Sequence, residues 1–223
     1  MVADARSDTI GIPSVNVGAP KVLVDTEQGS VWSSIVKSPV ERGTVMWLSS
    51  INLAGDGQAD LSVHGGFDKA VYAYPSEHLG LWSAELATPL DPAAFGENLT
   101  TVSSAEADVC IGDVWAWGEA YLEVCQPRWP CYKLALHLHR ADIQKRMRAN
   151  GRTGWYLRVL QPGAVTVGSD ITVEHRDAAG LSVFDAHVAM GDRHLEHLEL
   201  VKALANHDRL ADQWREPLRQ RLA

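Results

Sequence analysis

The sequence predicts a mainly β protein of the α+β type, with a barrel or sandwich of short strands, peripheral helices and a small C-terminal helical module. Between residues 10 and 177, short β-branched and aromatic runs are separated by Gly, Pro and Asp. After residue 178, the apolar period changes from 2 to 3.6 residues, which is typical of amphipathic helices. We therefore divide the chain into a β-rich domain, 10–177, and a helical module, 178–223.

The first two predicted strands are short and end at turn residues. Residues 45–53 are apolar and rich in β-branched side chains, and residues 69–74 alternate weakly before Pro75. Strands at this spacing, without long helical runs between them, favour a barrel or sandwich over alternating βαβ units.

Two strand pairs are predicted further along the chain. Residues 114–117 and 120–124 flank Gly118-Glu119, and this pattern predicts a hairpin whose glycine supplies a positive φ. Residues 155–160 and 165–173 flank a Pro-Gly dipeptide, and we interpret them as a second pair of adjacent strands.

Two helices are expected to interrupt the strands. Ser76 is predicted to cap a helix over residues 76–86, where apolar side chains recur at helical spacing. A second, basic helix is predicted over residues 140–150, and Gly151 is placed to end it in a left-handed conformation.

The C-terminal module begins with a capping signal. Ser182 is followed three residues later by Asp185, which resembles an acidic capping box. Two amphipathic helices follow, and Pro217 is expected to kink or shorten the second one. Their apolar positions are Leu195, Leu198 and Leu204 in the first helix and Leu210, Trp214 and Leu218 in the second.

Composition excludes several classes of function. The chain has 223 residues, 46% hydrophobic residues and a net charge of −8, which argues against non-specific binding to nucleic acid or to an anionic membrane. No apolar run approaches the roughly 20 residues of a membrane span, and the first residues lack a signal-peptide core. Three cysteines at irregular spacing do not form a disulfide framework, so we expect a cytoplasmic protein.

The most informative segment is 125–133, which reads Cys-Gln-Pro-Arg-Trp-Pro-Cys-Tyr-Lys. Arg128 and Lys133 are expected to favour a thiolate at Cys131, and the two prolines stiffen the backbone around it. This pattern indicates a soft-metal ligand or a reactive thiol, although a buried, inert cysteine is an equally frequent alternative. Cys125 continues the alternation of a strand and is interpreted as a packing residue.

Three other segments carry candidate binding residues, each with a plain alternative. His64-Gly65-Gly66, followed by Asp68 and Lys69, can bring backbone amides and a cation to an anion, but it can also be a glycine turn. Asn98, after Phe95-Gly96-Glu97, offers both a donor and an acceptor, or belongs to an ordinary turn. Lys37 is a further candidate cation, or a solvated surface charge. The histidine pairs show no metal-binding pattern.

Taken together and in order, these segments resemble the MOSC domain family, the domains related to the C-terminal part of molybdenum cofactor sulfurases. The resemblance covers residues 10–215 and includes Ile111-Gly112-Asp113 and the segment around Lys37. It implies a β-barrel that binds a molybdopterin-type molybdenum cofactor, with Cys131 as the molybdenum ligand and catalytic residue. The remaining cofactor-binding residues that it implies are Lys37, His64, Gly65, Gly66, Asp68, Lys69, Asn98, Arg128 and Lys133.

For the enzymes of this family, the resemblance implies reduction of small N-hydroxylated compounds, including purine analogues, by oxygen-atom transfer, a detoxifying reaction. A separate reductase would supply the electrons, because no flavin or nicotinamide motif is present. The resemblance and the helical module together suggest a homodimer, and no nucleic-acid or membrane partner is expected. Two alternatives remain open: a module that carries sulfur as a persulfide on Cys131, and a structural domain in which this thiol is inert.

Overall fold

In the computed structural model, residues 8–59 and 65–223 are described. Twelve strands and six α-helices are assigned in this part of the chain. The strands are β1 (Thr9–Val17), β2 (Lys21–Thr26), β3 (Gly29–Ser33), β4 (Ser38–Pro39), β5 (Val45–Leu48), β6 (Val71–Pro75), β7 (Leu99–Val102), β8 (Val114–Trp117), β9 (Ala120–Pro127), β10 (Trp155–Gln161), β11 (Gly163–Thr166) and β12 (Ile171–His175). The helices are α1 (Ser76–Leu86), α2 (Tyr132–His137), α3 (Ile143–Asn150), α4 (Val183–Gly191), α5 (Leu198–Ala205) and α6 (Asp212–Leu222).

Seven strands close into a barrel, in the order β12-β8-β9-β10-β6-β7-β1, because β1 also pairs with β12. The pair β6–β7 is parallel, whereas the other pairs around the barrel are antiparallel. The short strand β4 adds to β1, and the pairs β2–β3 and β5–β11 form separate two-stranded sheets. The predicted barrel is therefore confirmed, and closure removes the exposed sheet edges of an open sandwich.

One predicted hairpin is confirmed and one predicted strand pair is wrong. Strands β8 and β9 pair across a turn in which Gly118 has φ 59°, as expected. Residues 155–160 and 165–173 do form strands, but they do not pair with each other. The second stretch divides at Gly168, which has φ 88°, so that β11 pairs with β5 and β12 pairs with β8.

The two short predicted strands are displaced at their ends. The strand predicted at 45–53 ends at Leu48, because residues 49–52 form a turn in which the Ser49 hydroxyl donates to the carbonyl oxygen of Asn52 (2.9 Å). The strand predicted at 69–74 begins only at Val71, because Phe67–Lys69 form a single turn of 3-10 helix.

The helix predictions are confirmed in part: two of the three predicted caps are present, and the helix predicted at 140–150 begins only at Ile143. Helix α1 buries the predicted apolar side chains, but Ser76 lies inside it and Pro75 takes the cap position, so the Ser76 cap is wrong. Gly151 ends α3 in the left-handed region, with φ 74°, as predicted. The capping box of Ser182 and Asp185 is present. Helix α6 runs through Pro217 to Leu222, so it is not shortened there, and the alternative of a kink at Pro217 stays a prediction.

Two apolar clusters lie on opposite sides of the barrel wall. One fills the barrel and continues into α4, α5 and α6, with fully buried Trp115, Trp155 and Leu218 among its members. The other lies between α1, α3 and β6, around Trp82 and Phe95.

The division of the chain at residue 178 stays a prediction. Among the described residues, no helix is long and apolar enough to span a bilayer.

Candidate functional site

A cleft lies against the outer side of the barrel wall, where β6 and β10 pair, and its volume, including open solvent, is about 610 Å³. Its wall is formed by the segment after β3, residues 56–59, β6, the turn before β7, the segment between β9 and α2, and β10. Six of the residues predicted from the sequence line it. They are Lys37, Lys69, Asn98, Arg128, Cys131 and Lys133.

Cys131 is held at the cleft by the segment that joins β9 to α2. This segment is tied at both ends, since the Arg128 amide donates to the carbonyl oxygen of Gly154 (3.1 Å) and Gln144 Nε2 donates to that of Pro130 (3.1 Å). Cys131 takes an extended conformation and caps α2, while its side chain remains half-buried. A thiol in a fixed, partly open position can bind a ligand without a backbone rearrangement.

Two buried cations in the cleft have no carboxylate partner among the described residues. Arg128 is 6% exposed, and its Nη1 donates to Tyr72 Oη (3.1 Å) while its guanidinium lies 4.7 Å from the centre of the same ring. Burial disfavours the guanidinium charge, but the nearby Tyr72, Tyr156 and Cys131 outweigh burial and raise the pKa of Arg128. Lys133 is 9% exposed. Buried charges of this kind are stabilised when an anion binds between them.

A third cation, Lys37, forms a buried ion pair with Asp56. Asp56 Oδ1 also accepts from the Gly18 amide (2.8 Å), so the carboxylate is fixed by the backbone as well. Burial lowers the pKa of Lys37, although Asp56 opposes this effect. Burial likewise lowers the pKa of Lys69, and interaction with Cys131 is among the opposing effects. Four cations therefore face one described carboxylate in the cleft.

Asn98 uses its amide within the protein. Its Nδ2 donates to Asp56 Oδ2 (2.9 Å) and to the carbonyl oxygen of Asn16 (3.2 Å), and its Oδ1 accepts from the Tyr72 amide (3.1 Å). The neighbouring Glu97 is buried and accepts from the amides of Ala93 (2.7 Å) and Phe95 (3.1 Å). These bonds fix the turn that carries Asn98, so the structure gives this residue a positioning role beside the predicted cofactor contact.

The glycine segment lies differently from the other predicted residues. Gly65, Gly66 and Asp68 are not among the described residues that line the cleft, and His64 lies outside the described residues. Asp68 instead accepts from Arg158 Nε (2.8 Å). Gly66 has φ 96° and precedes the 3-10 turn that brings Lys69 to the cleft. Its described role is therefore to place this lysine.

The two neighbouring cysteines differ as the sequence predicts. Cys125 is fully buried in β9, and its Sγ lies 3.2 Å from the carbonyl oxygen of Asp68. Burial raises the pKa of this thiol, which keeps it protonated. Cys110 is also buried, and none of the three cysteines, all within the described part of the chain, forms a disulfide.

Sequence reasoning missed Tyr72, Tyr156 and Asp56. The tyrosines are register partners across β6 and β10, with ring centroids 5.2 Å apart, and both line the cleft. Nothing in the strand pattern separates them from core residues. Asp56 was detectable, because an acid between two glycines indicates a turn that presents its carboxylate. Among the described residues, no group of three or more His, Cys, Asp or Glu side chains forms a metal site by itself.

Comparison with known proteins assigns the family. The family model described as MOSC domain matches residues 60–172, which is half of the chain. The chain belongs to the MOSC domain family. It is 36% identical to the YflK protein of Bacillus subtilis, over 94% of this chain and 93% of that protein.

A solved structure of YiiM from Geobacillus stearothermophilus has the same fold as this MOSC protein, with a TM-score of 0.80 and 34% identity. The match covers 96% of this chain and all of that one. A protein named Reductase from Gibberella moniliformis is 34% identical over 77% of this chain, but the match covers only 31% of the fungal protein. MOSC domains are a family that binds molybdenum cofactor, so the family agrees with a cleft that combines a thiol with buried cations.

Proposed function

We propose that this protein is a molybdenum-cofactor-dependent oxidoreductase that reduces small N-hydroxylated compounds, such as N-hydroxylated purine analogues. The observation that carries the proposal is the meeting of a half-buried thiol, Cys131, with the buried cations Arg128 and Lys133 in one cleft, where neither cation has a carboxylate partner among the described residues. The fungal relative named Reductase supports the reaction class, although that name belongs to a longer protein.

The residues present fit a molybdopterin-type cofactor. A thiolate is a ligand that suits molybdenum as a soft donor, and Cys131 offers it from a fixed backbone. The phosphate of such a cofactor needs charge-assisted donors, which Arg128, Lys133 and Lys69 provide. Asp56 pairs with Lys37 at the same wall and therefore neutralises one of the positive charges of the cleft.

When bound, the cofactor would supply oxygen-atom transfer, which protein side chains cannot perform. The overall reaction converts R–NH–OH, two electrons and two protons into R–NH2 and water. The chain itself binds the cofactor phosphate, presents the thiolate and restricts access through the wall of Tyr72 and Tyr156. A separate redox protein would supply the electrons, and we further propose that the protein acts in the cytoplasm, with a homodimer as its assembly.

The test uses protein purified from a host that makes the cofactor. Cys131→Ser is expected to lower both the molybdenum content and the reduction of an N-hydroxylated purine by at least about 100-fold, because a serine hydroxyl is a hard, protonated replacement for the thiolate. Cys125→Ala is the matched control and is expected to keep the metal and activity, since this thiol faces the protein interior.

Full reductase activity in Cys131→Ser would contradict the proposal. A wild-type protein without molybdenum but with a labile persulfide on Cys131 would favour the sulfur-carrier alternative instead, and this is measured by cyanide release of the sulfane sulfur together with metal analysis.

A further inference from the structure

Helix α3 and the residues around it carry a concentration of positive charge that the cleft does not use. Residues 140–152 contain five basic residues and one acidic residue, in a chain whose net charge is −8. Asp142 pairs with both Arg140 (3.5 Å) and Arg146 (2.7 Å). The remaining positive charge is therefore local and stands against an acidic background.

Two of these cations are exposed and have no carboxylate partner in the described part of the chain. Lys145 is exposed to solvent, and Arg148 is exposed while its Nε donates to the carbonyl oxygen of Gln144 (3.2 Å). A cation that is neither buried nor paired within its own chain remains available to a negatively charged partner.

The same surface is continuous with the segment that carries Cys131. The Arg148 guanidinium lies 5.7 Å from the centre of the Trp129 ring, and Gln144 Nε2 donates to the carbonyl oxygen of Pro130. Trp129 is 44% exposed despite its size. Arg and Trp are the residue types that most often dominate the energy of protein interfaces, particularly where an aromatic ring remains half-exposed.

We propose that this basic surface, formed by Lys145, Arg148 and Trp129, is the docking site of an acidic electron-carrier protein. The inference rests on the proposed function, in which two electrons per turnover come from a separate protein. Trp129 is two residues from Cys131, a span of at most about 7 Å along the chain. A carrier on this surface would therefore be seated beside the wall of the cleft.

The chemistry of the surface favours a small acidic protein over other anionic partners. Nucleic acid and anionic membranes present extended negative charge, which the overall charge of −8 repels. A compact acidic protein interacts with the patch alone. Transient electron-transfer complexes have small interfaces, so a surface of this limited size is sufficient for one. Each carrier encounter would deliver one electron, and two encounters would complete the reduction.

The experiment compares wild type with Lys145→Glu/Arg148→Glu, and uses an acidic plant-type [2Fe–2S] ferredoxin as the probe. Lys145→Glu alone is included in case the Arg148 change disturbs Trp129. A control with the same change in net charge is Arg193→Glu/Lys202→Glu, which alters exposed residues of the C-terminal module. Binding is measured by calorimetry at low ionic strength, and turnover of an N-hydroxylated purine is measured with reduced ferredoxin and, separately, with dithionite.

The expected result is that the double variant weakens ferredoxin binding and ferredoxin-driven turnover by about tenfold or more, whereas dithionite-driven turnover is unchanged. The loss should shrink as salt is raised, since exposed charges are screened. Equal losses in the double variant and in its control would overturn the proposal. Ferredoxin binding that is unchanged in both variants would also overturn it, and so would binding of anionic vesicles or oligonucleotides, but not ferredoxin, to this surface. Failure of the proposed function is recognised separately, because wild type would then lack dithionite-driven turnover while the binding measurement still decides the docking site.

Discussion

Replacing Arg128 by methionine should separate ligand binding from stability. The guanidinium is buried without a carboxylate partner in the described chain, so Arg128→Met removes a desolvated charge as well as its contacts with Tyr72. The lost hydrogen bond and cation–π contact are worth about 1–2 kcal/mol, and relief of desolvation offsets a similar amount. We expect the free energy of unfolding without ligand to change by less than about 1 kcal/mol.

Binding of an anion should respond much more strongly. A hydrogen bond to a charged group contributes about 1.5–3 kcal/mol, so the affinity of the cleft for inorganic phosphate should fall by about 10- to 150-fold. If phosphate is fixed at 100 times the wild-type Kd, wild type gains about 2.7 kcal/mol of stability from binding. A variant with 30-fold weaker affinity gains only about 0.9 kcal/mol under the same conditions.

The assay is urea unfolding with and without phosphate, together with calorimetric titration of phosphate into each protein. Arg158→Met is the matched control, because Arg158 pairs with the buried carboxylate of Glu123 (3.0 Å) and does not line the cleft. This variant should lose about 2–3 kcal/mol of stability and keep its phosphate affinity. The loss is limited to this range because Glu123 keeps its ion pair with Arg209. The reasoning is refuted if Arg128→Met unfolds more than about 2 kcal/mol more easily while phosphate affinity stays the same.

Two further predictions concern groups beside the site. Burial lowers the pKa of His187, so the unfolded chain binds more protons than the folded chain below about pH 6.5, and the free energy of unfolding should rise with pH across this window. His187→Gln should flatten this rise, which is measured by urea unfolding at pH 5 and 7. An unchanged difference between the two pH values would contradict the prediction. Lys37→Met leaves Asp56 buried without its cation and should lower the free energy of unfolding by about 3 kcal/mol. The double variant Lys37→Met/Asp56→Asn should recover most of this loss. If the effects of the two single variants simply add up in the double variant, the coupling is contradicted.

The sequence predicted the cleft better than it predicted the sheet. The prolines and cations around Cys131 are local signals, and the structure brings the thiol, Arg128 and Lys133 into one cleft, while their roles there stay predictions. Barrel closure depends on β1 meeting β12 from the opposite end of the domain, where Ile10 lies opposite Ile171. No local pattern encodes such a contact, so the resemblance to a family supplied the barrel and the alternation of residues did not.

The tyrosines of the cleft show why the remaining residues escaped prediction. Tyr72 and Tyr156 occupy ordinary strand positions, and their pairing appears only when β6 lies beside β10. A strand that faces a cleft and a strand that faces a core carry the same aromatic residues. The second strand pair failed for a related reason, since β11 pairs with the distant strand β5 and β12, after the turn at Gly168, pairs with β8. Local punctuation marks where a strand ends, but it does not identify the partner of that strand.

The cleft cations also connect cofactor binding to folding. Arg128 and Lys133 are desolvated in the absence of an anion, and this cost lowers the stability of the empty protein. An anion that binds between them recovers this energy only in the native state, so ligand binding adds directly to the free energy of unfolding. A site built for stability alone would place a carboxylate between the two charges, as Asp56 is placed beside Lys37. The absence of such a partner within the described residues is therefore a stronger indication of an anionic ligand than the number of positive charges in the cleft.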